Sequence, residues 1–169
     1  MYPKLKLRLF IGQIDGPRIA SWIADPEYAT FFRNNAVLPS YEECFNYPAW
    51  SQNIVMMVED EKGDTVGMVC GYGLNYRNRS IKSGIIIDKR FQNQKYGHAA
   101  HDIWFRYLFE RLAFRKIIVE NVDEVYTDPY YKVGFQLVGR LKAHCKVKGE
   151  YCDEILMECF DDDYKPIVF

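Results

Sequence analysis

The chain has 169 residues, 49% of them apolar, with a formal net charge of −1 and a pI near 6.3. That is enough apolar chain to bury one core, and it implies a single domain over residues 1–169. The near-neutral balance gives no electrostatic footprint for nucleic acid or an anionic membrane surface, and no apolar run approaches the length of a membrane-spanning helix.

In chain order, Lys4 to Phe10 alternates charged and apolar residues, the mark of a half-buried strand. Asp15 then offers an N-cap, with Pro17 in the first turn of a helix that carries Ile19, Trp22 and Ile23. Asp25-Pro26 stops it and starts a second helical piece holding Tyr28, Phe31 and Phe32. Ser40-Tyr41-Glu42-Glu43 has the spacing of a capping box and opens a short helix that ends before Pro48. From Asn53 the period changes: Ile54 to Glu59, Thr65 to Leu74 and Ser80 to Ile87 read as strands separated by polar turns. A helix follows on which Ala100, Ile103, Trp104, Tyr107, Leu108 and Leu112 form the apolar stripe, while Asp102, Arg106 and Glu110 mark a wet, ion-paired face. After it come a strand at Lys116 to Val122, a short helix near Pro129 and two strands, Phe135 to Val147 and Tyr151 to Phe160. This order implies one mixed α/β (α+β) sheet with helices on both faces.

The segment Gly84 to Phe114 carries the most chemistry. Ile85, Ile86 and Ile87 end at Asp88, and the loop Lys89-Arg90-Phe91-Gln92-Asn93-Gln94-Lys95-Tyr96-Gly97 contains cations and amides but no acid before the helix begins. A buried strand feeding a basic loop and a helix N-terminus suits a phosphate, because the first N–H groups of the helix lack internal partners. The chain is therefore a candidate binder of a phosphorylated cofactor. The P-loop pattern is absent, and Gly71-Tyr72-Gly73 is followed by no helical pattern, so neither a nucleotide triphosphatase nor a dinucleotide fold is indicated. No metal is expected. Cys145, Cys152 and Cys159 recur every seventh residue, which in extended strands alternates their faces, and His98 and His101 have no acid or thiol at ligand spacing. The odd set of five cysteines lacks a C-x-x-C, and Lys4, Lys6 and Arg8 interrupt any secretory pattern; both features suit a cytoplasmic protein with reduced thiols.

Three local patterns in order resemble the GNAT (Gcn5-related) N-acetyltransferases, and within them the RimJ/RimL-like branch that includes spermidine acetyltransferases. Gln92-Asn93-Gln94-Lys95-Tyr96-Gly97 is similar to the family's Q/R-x-x-G-x-G/A loop. Asp123 to Phe135 is similar to N-x-x-A-x-x-x-Y-x-K-L-G-F, and the segment from Phe135 to Asp153 resembles the branch's closing hairpin. The resemblance covers roughly Leu5 to Phe160. It implies a mostly antiparallel sheet of about seven strands, with the fourth and fifth splayed around acetyl-CoA. It also implies that the loop from Gln92 through Asn93, Gln94, Lys95, Tyr96 and Gly97 to His98 holds the pyrophosphate. A backbone N–H near Ile86 or Ile87 would polarise the thioester carbonyl, Asp123 would touch the cofactor, and Tyr130 would protonate the departing thiolate. Three departures stand out. Lys95 replaces a loop glycine, Asp123 replaces an asparagine for which Asn121 is a possible substitute, and Asp128-Pro129 interrupts a helix, with Asp128 expected as its cap and Gly134 closing it.

Acetyl transfer to an amine also needs a base, for which Glu120, Asp88 and Glu59 are candidates, with Glu120 placed first. The expected acceptor is a small-molecule or peptide amine. Tyr28, Phe31, Phe32, Tyr41, Phe45, Tyr47 and Trp50, with Glu27, Glu42 and Glu43, suit a cationic one, although the same aromatics would serve equally to seal a core. A monomer or homodimer is expected. The competing readings are a non-catalytic acyl-CoA-binding or regulatory module, which would not need Tyr130, and a protein-interaction module, which would need neither the tyrosine nor the loop.

Overall fold

A computed structural model of the chain describes residues 1–28, 40–48, 53–122 and 127–167. Phe31, Phe32, Trp50 and Asp123 lie outside the described residues. Seven strands form one sheet: β1 (Leu5–Leu9), β2 (Ile54–Asp60), β3 (Thr65–Asn75), β4 (Ser80–Ile87), β5 (Lys116–Asn121), β6 (Gln136–Val147) and β7 (Glu150–Phe160), in the spatial order β1-β2-β3-β4-β5-β7-β6. Every neighbouring pair is antiparallel except β4 and β5, which run parallel.

Side-chain alternation along the central strands divides the core in two. Met56, Val58, Ile81 and Val119 pack with Trp104, Phe105 and Leu108 on one face. Val55, Met57, Met68, Cys70 and Ile86 pack with Ile19, Trp22 and Cys44 on the other. The first face is covered by α3 (Tyr96–Arg106), which runs on through a π-helical turn at Tyr107–Arg111. The second is covered by α1 (Gly12–Ala24) and the short α2 (Tyr41–Cys44). Helices thus lie on both faces, as the element order implies.

The capping box of α2 forms as read: Glu43 N–H donates to Ser40 Oγ (3.2 Å), and Ser40 N–H donates to Glu43 Oε2 (2.7 Å). The start of α1 differs. The helix begins at Gly12 with Ile11 as N-cap, so Pro17 lies inside it, and Asp15 is buried within its first turns. Asp15 still reaches back to the Ile11 N–H (2.7 Å), but its main partner is the Arg8 guanidinium of β1, bound through two bonds of 2.7 and 2.8 Å. Asp128 is likewise the first residue of α4 (Asp128–Lys132), and its N-cap is Thr127. Gly134 closes α4 at φ +102°, where a side chain would meet the Asp163 carbonyl.

The wet, ion-paired face read for this helix is exposed at Glu110 and half-buried at Arg106, but it is covered at Asp102. Asp102 is buried, paired with Arg106 at 3.0 Å, and it accepts hydrogen bonds from Tyr164 OH (2.7 Å) and Ile167 N–H (2.8 Å). The cysteine spacing also means something different in the folded chain, because β6 and β7 double back. Cys145 and Cys152 are direct cross-strand partners on a common face, and none of the five cysteines is in a disulfide.

Candidate active site

The gap between β4 and β5 frames the site. The two strands pair only from Ser80↔Lys116 to Ser83↔Val119. Beyond that point β4 continues on β3 as far as Gly67↔Ile87, and β5 continues on β7 as far as Asn121↔Ile155. Gly84 to Ile87 therefore have a sheet neighbour on one side only. Asp88 N–H donates to Val66 O (2.9 Å), and the alternation of an antiparallel ladder then turns Ile86 and Gly84 toward β3. The backbone groups of Ile85 and Ile87 face the gap. Of the two residues considered for carbonyl polarisation, Ile87 presents its N–H to the opening, whereas the Ile86 backbone bonds within the sheet and its side chain is buried in the second core.

The loop after β4 holds itself together. Asp88 accepts from the Arg90 backbone (3.1 Å) and side chain (2.9 Å), and the Lys89 N–H donates to Tyr28 OH (2.9 Å). Gln92 donates to Ile87 O and Gln94 to Arg90 O, each at 2.9 Å, so both amide side chains support the loop. Tyr96 packs edge-on against Phe91. Asn93 (φ +59°) and Lys95 (φ +66°) are left-handed, and Lys95 is the N-cap of α3. The family glycine at this position has a backbone reason, and the lysine meets the same geometry at a cost of about 1–2 kcal/mol. A Cβ on Gly97 would meet only Ile87 Cγ1, at an ordinary 3.7 Å. Lys95 Nζ lies 5.5 Å from the centre of the Tyr2 ring, whose edge packs on His98. His98 is held below its ordinary pKa first by loss of solvation and then by the Lys132 and Lys95 charges, which places both cations near the start of α3.

At the far lip of the gap, Asn121 ends β5, and its Nδ2 is buried without an acceptor among the described residues. A buried donor left in this state costs free energy unless a ligand satisfies it. Tyr130, on α4, points its hydroxyl back to α3, where it lies 3.0 Å from His101 Nε2. The phenol ring is buried against Phe105 and Phe135, and desolvation raises its pKa. His101 is pushed down to about 3, first by desolvation and then by His98, and is neutral near pH 7.

Among the candidate bases, Glu120 lies on β5 one residue beyond the last β4–β5 pair, Ser83↔Val119. Its carboxylate accepts from Tyr72 OH (3.1 Å) and forms an ion pair with Lys82 Nζ, on the α1 side of the sheet. Asp88 is engaged by Arg90 and Arg18, and Glu59 lies out on β2, bound by Arg8 and Lys6. Of the expected acceptor-side aromatics, Tyr28 and Tyr47 are core residues, Phe45 packs on Gly12 and Gly16 of α1, and Tyr41 is exposed with Glu27, Glu42 and Glu43. Among the described residues, no group of three or more His, Cys, Asp or Glu side chains is placed to hold a metal, and no helix is long and apolar enough to cross a membrane.

The profile of the acetyltransferase (GNAT) domain matches residues 4–124. The chain belongs to the GNAT acetyltransferases. No curated protein matches it significantly. Solved structures share the GNAT fold over nearly the whole chain. One is a spermidine N-acetyltransferase from Vibrio cholerae in complex with CoA and spermine, with TM-score 0.84, 23% identity, and 95% of this chain and 97% of that one covered. A chimera of the same Vibrio enzyme matches with TM-score 0.80, 25% identity and coverages of 95% and 98%. A probable acetyltransferase matches with TM-score 0.77, 20% identity and coverages of 95% and 94%. Within this GNAT fold, three residues near the gap carry no sequence signal of their own. Lys82 and Tyr72 read as ordinary strand residues, and His101 draws notice only as a metal ligand that lacks companions at ligand spacing. Only the cross-strand pairing Tyr72↔Lys82 and the return of α4 onto α3 bring them to Glu120 and Tyr130.

Proposed function

We propose that this protein is an acetyl-CoA-dependent N-acetyltransferase that acetylates a primary amine by direct attack. The observation that carries the reading is the end of β4–β5 pairing at Ser83↔Val119, opposite a helix N-terminus flanked by cations. The residues fit the cofactor. Lys95, Lys132 and the first N–H groups of α3 suit a pyrophosphate, and Asn121 Nδ2, which has no acceptor among the described residues, suits an amide-rich pantetheine arm. Acetyl-CoA, when bound, supplies the activated acetyl group and a thiolate leaving group.

The remaining tasks fall to the chain. The gap-facing Ile87 N–H is oriented to stabilise charge on a carbonyl oxygen. Glu120, on the α1 side, takes up the proton released by the acceptor ammonium, directly or through water, with Lys82 and Tyr72 fixing its carboxylate. Tyr130 holds a proton at its hydroxyl for the departing sulfur. The acceptor reading is a cationic amine, small or carried on a flexible peptide end. It is supported by the exposed Glu27, Glu42 and Glu43 and by the spermine bound to the Vibrio relative. The burial of Tyr28 and Tyr47 shifts the weight of recognition from aromatic faces to carboxylates.

A panel of amines incubated with acetyl-CoA and followed by thiol release tests the reaction. Polyamines, amino sugars and peptide amines should outrun neutral or anionic acceptors, and the reverse order would defeat the acceptor reading. Tyr130→Phe should lower kcat by roughly 10²-fold with little change in KM for acetyl-CoA. A kcat within about twofold of the parent would remove Tyr130 from this role.

A further inference from the structure

We propose that His101 is a positioning residue for Tyr130: its Nε2–H donates to the phenolic oxygen and leaves the phenol's own hydrogen free for the departing sulfur. This rests on the reading of Tyr130 as the proton donor. His101 Nε2 is 3.0 Å from Tyr130 OH, and it is the phenol's hydrogen-bond partner among the described residues. The imidazole is stacked on Phe105 at 5.2 Å and 14°, and it meets the Tyr130 ring at 4.9 Å, so neither ring can turn away without breaking an aromatic cluster.

A neutral imidazole has one N–H and one lone pair, and only two arrangements satisfy the contact. In one, the phenol spends its hydrogen on Nε2 and has none to give. In the other, Nε2 carries the hydrogen and bonds to the phenolic oxygen. Burial makes the phenolate costly to form, as the raised pKa of Tyr130 shows. A donor fixed on that oxygen offsets this cost, most strongly when the oxygen is charged. The proton accounting closes. As the C–S bond breaks, sulfur keeps the electron pair and takes the Tyr130 proton. The phenolate is held by the His101 Nε2–H; of the two protons that the acceptor ammonium gives up, the first leaves through Glu120 to solvent before attack, and the second, lost from nitrogen after attack, reaches the phenolate through water and restores the phenol. His101 never becomes charged, in keeping with its depressed pKa.

The first test needs no turnover. In protein labelled with 15N-histidine and free of ligand, the Nε2 of His101 should show a protonated, pyrrole-type shift that moves in Tyr130→Phe. A pyridine-type Nε2 would overturn the proposal. The second test is a kinetic cycle. H101F keeps the aromatic stack and should lower kcat by about tenfold or more at an unchanged KM for acetyl-CoA. H101Q, whose amide nitrogen takes the place of Nε2, should recover most of that loss, while the shorter H101N should not. In a Tyr130→Phe background, H101F should cost nothing further, because its effect runs through the phenol. If H101F folds poorly, the H101Q and H101N pair carries the comparison. Equal rates for those two, or an undiminished rate in H101F while Tyr130→Phe is slow, overturns the role of His101 alone. An undiminished rate in Tyr130→Phe overturns the role of the tyrosine as well.

Discussion

Lys95 holds a left-handed backbone, at φ +66°, where an L side chain crowds its own carbonyl. Two opposed terms meet there. Glycine would relieve about 1–2 kcal/mol of backbone crowding. It would give back about 0.5–1 kcal/mol in chain entropy. Lys95→Gly should therefore raise folding stability slightly, by up to about 1.5 kcal/mol, read as the midpoint of urea unfolding. The same change removes an ammonium beside the proposed pyrophosphate position, so calorimetry should show weaker binding of CoA. Weakened folding together with unchanged CoA affinity would mean that the lysine is there for its packing on Tyr2 and not for a ligand.

At the scale of elements, a close joint lies between α1 and the turn after α2. A Cβ on Gly12 would lie 2.1 Å from the Phe45 carbonyl oxygen, and one on Gly16 would lie 2.9 Å from the Phe45 Cα. Alanine is ordinarily the better helix former by about 1 kcal/mol. Here the obstacle is backbone, and separating two packed elements costs about 1–3 kcal/mol. Gly12→Ala should thus destabilise the fold despite its helical propensity, and a rise in melting temperature would show that α2 can move aside. This joint is also where the sequence was least legible. The strands were readable because alternation and turn residues are local, and the central pairings follow from them. The start of α1 was not, because what places it is a pair of glycines facing Phe45 and a buried Asp15 drawn to Arg8 of β1, contacts between residues distant along the chain or in type. The burial of Asp102 depends on Tyr164 and Ile167, some sixty residues away, and no helical wheel shows a tail that returns. In the site, the loop and Tyr130 could be found through family-like patterns. His101, Lys82 and Tyr72 could not, since each acquires its partner only through packing.

For the molecule as a whole, a node of charges fastens the outer edge of the sheet to its helices. Arg8 on β1 grips the buried Asp15 of α1 and bonds Glu59 of β2, and these partners raise the Arg8 pKa. Loss of solvation would raise the Glu59 pKa, but Arg8 and Lys6 together hold it below the ordinary carboxylate range. Asp88 is also lowered, by Arg90 and Trp22 acting against its desolvation. A carboxyl with a lower pKa folded than unfolded binds fewer protons in the native state. Its stabilisation is complete above the unfolded carboxylate range near pH 4 and fades as pH falls through the folded pKa. Unfolding free energy should accordingly decline below about pH 4, and Arg8→Met should flatten the part of that decline due to Glu59. The same substitution leaves Asp15 buried without its cation and should cost about 3–5 kcal/mol at neutral pH. The one-sided ladder at the end of β4 gives the molecule a built-in gauge. The amides of Ile86 and Asp88 are bonded to β3, but those of Ile85 and Ile87 have sheet on their far side only. In deuterated water these alternating amides should record two separate clocks, one set by the opening of the sheet and the other by whatever fills the gap. The difference between them would report occupancy residue by residue, even with a ligand that never reacts.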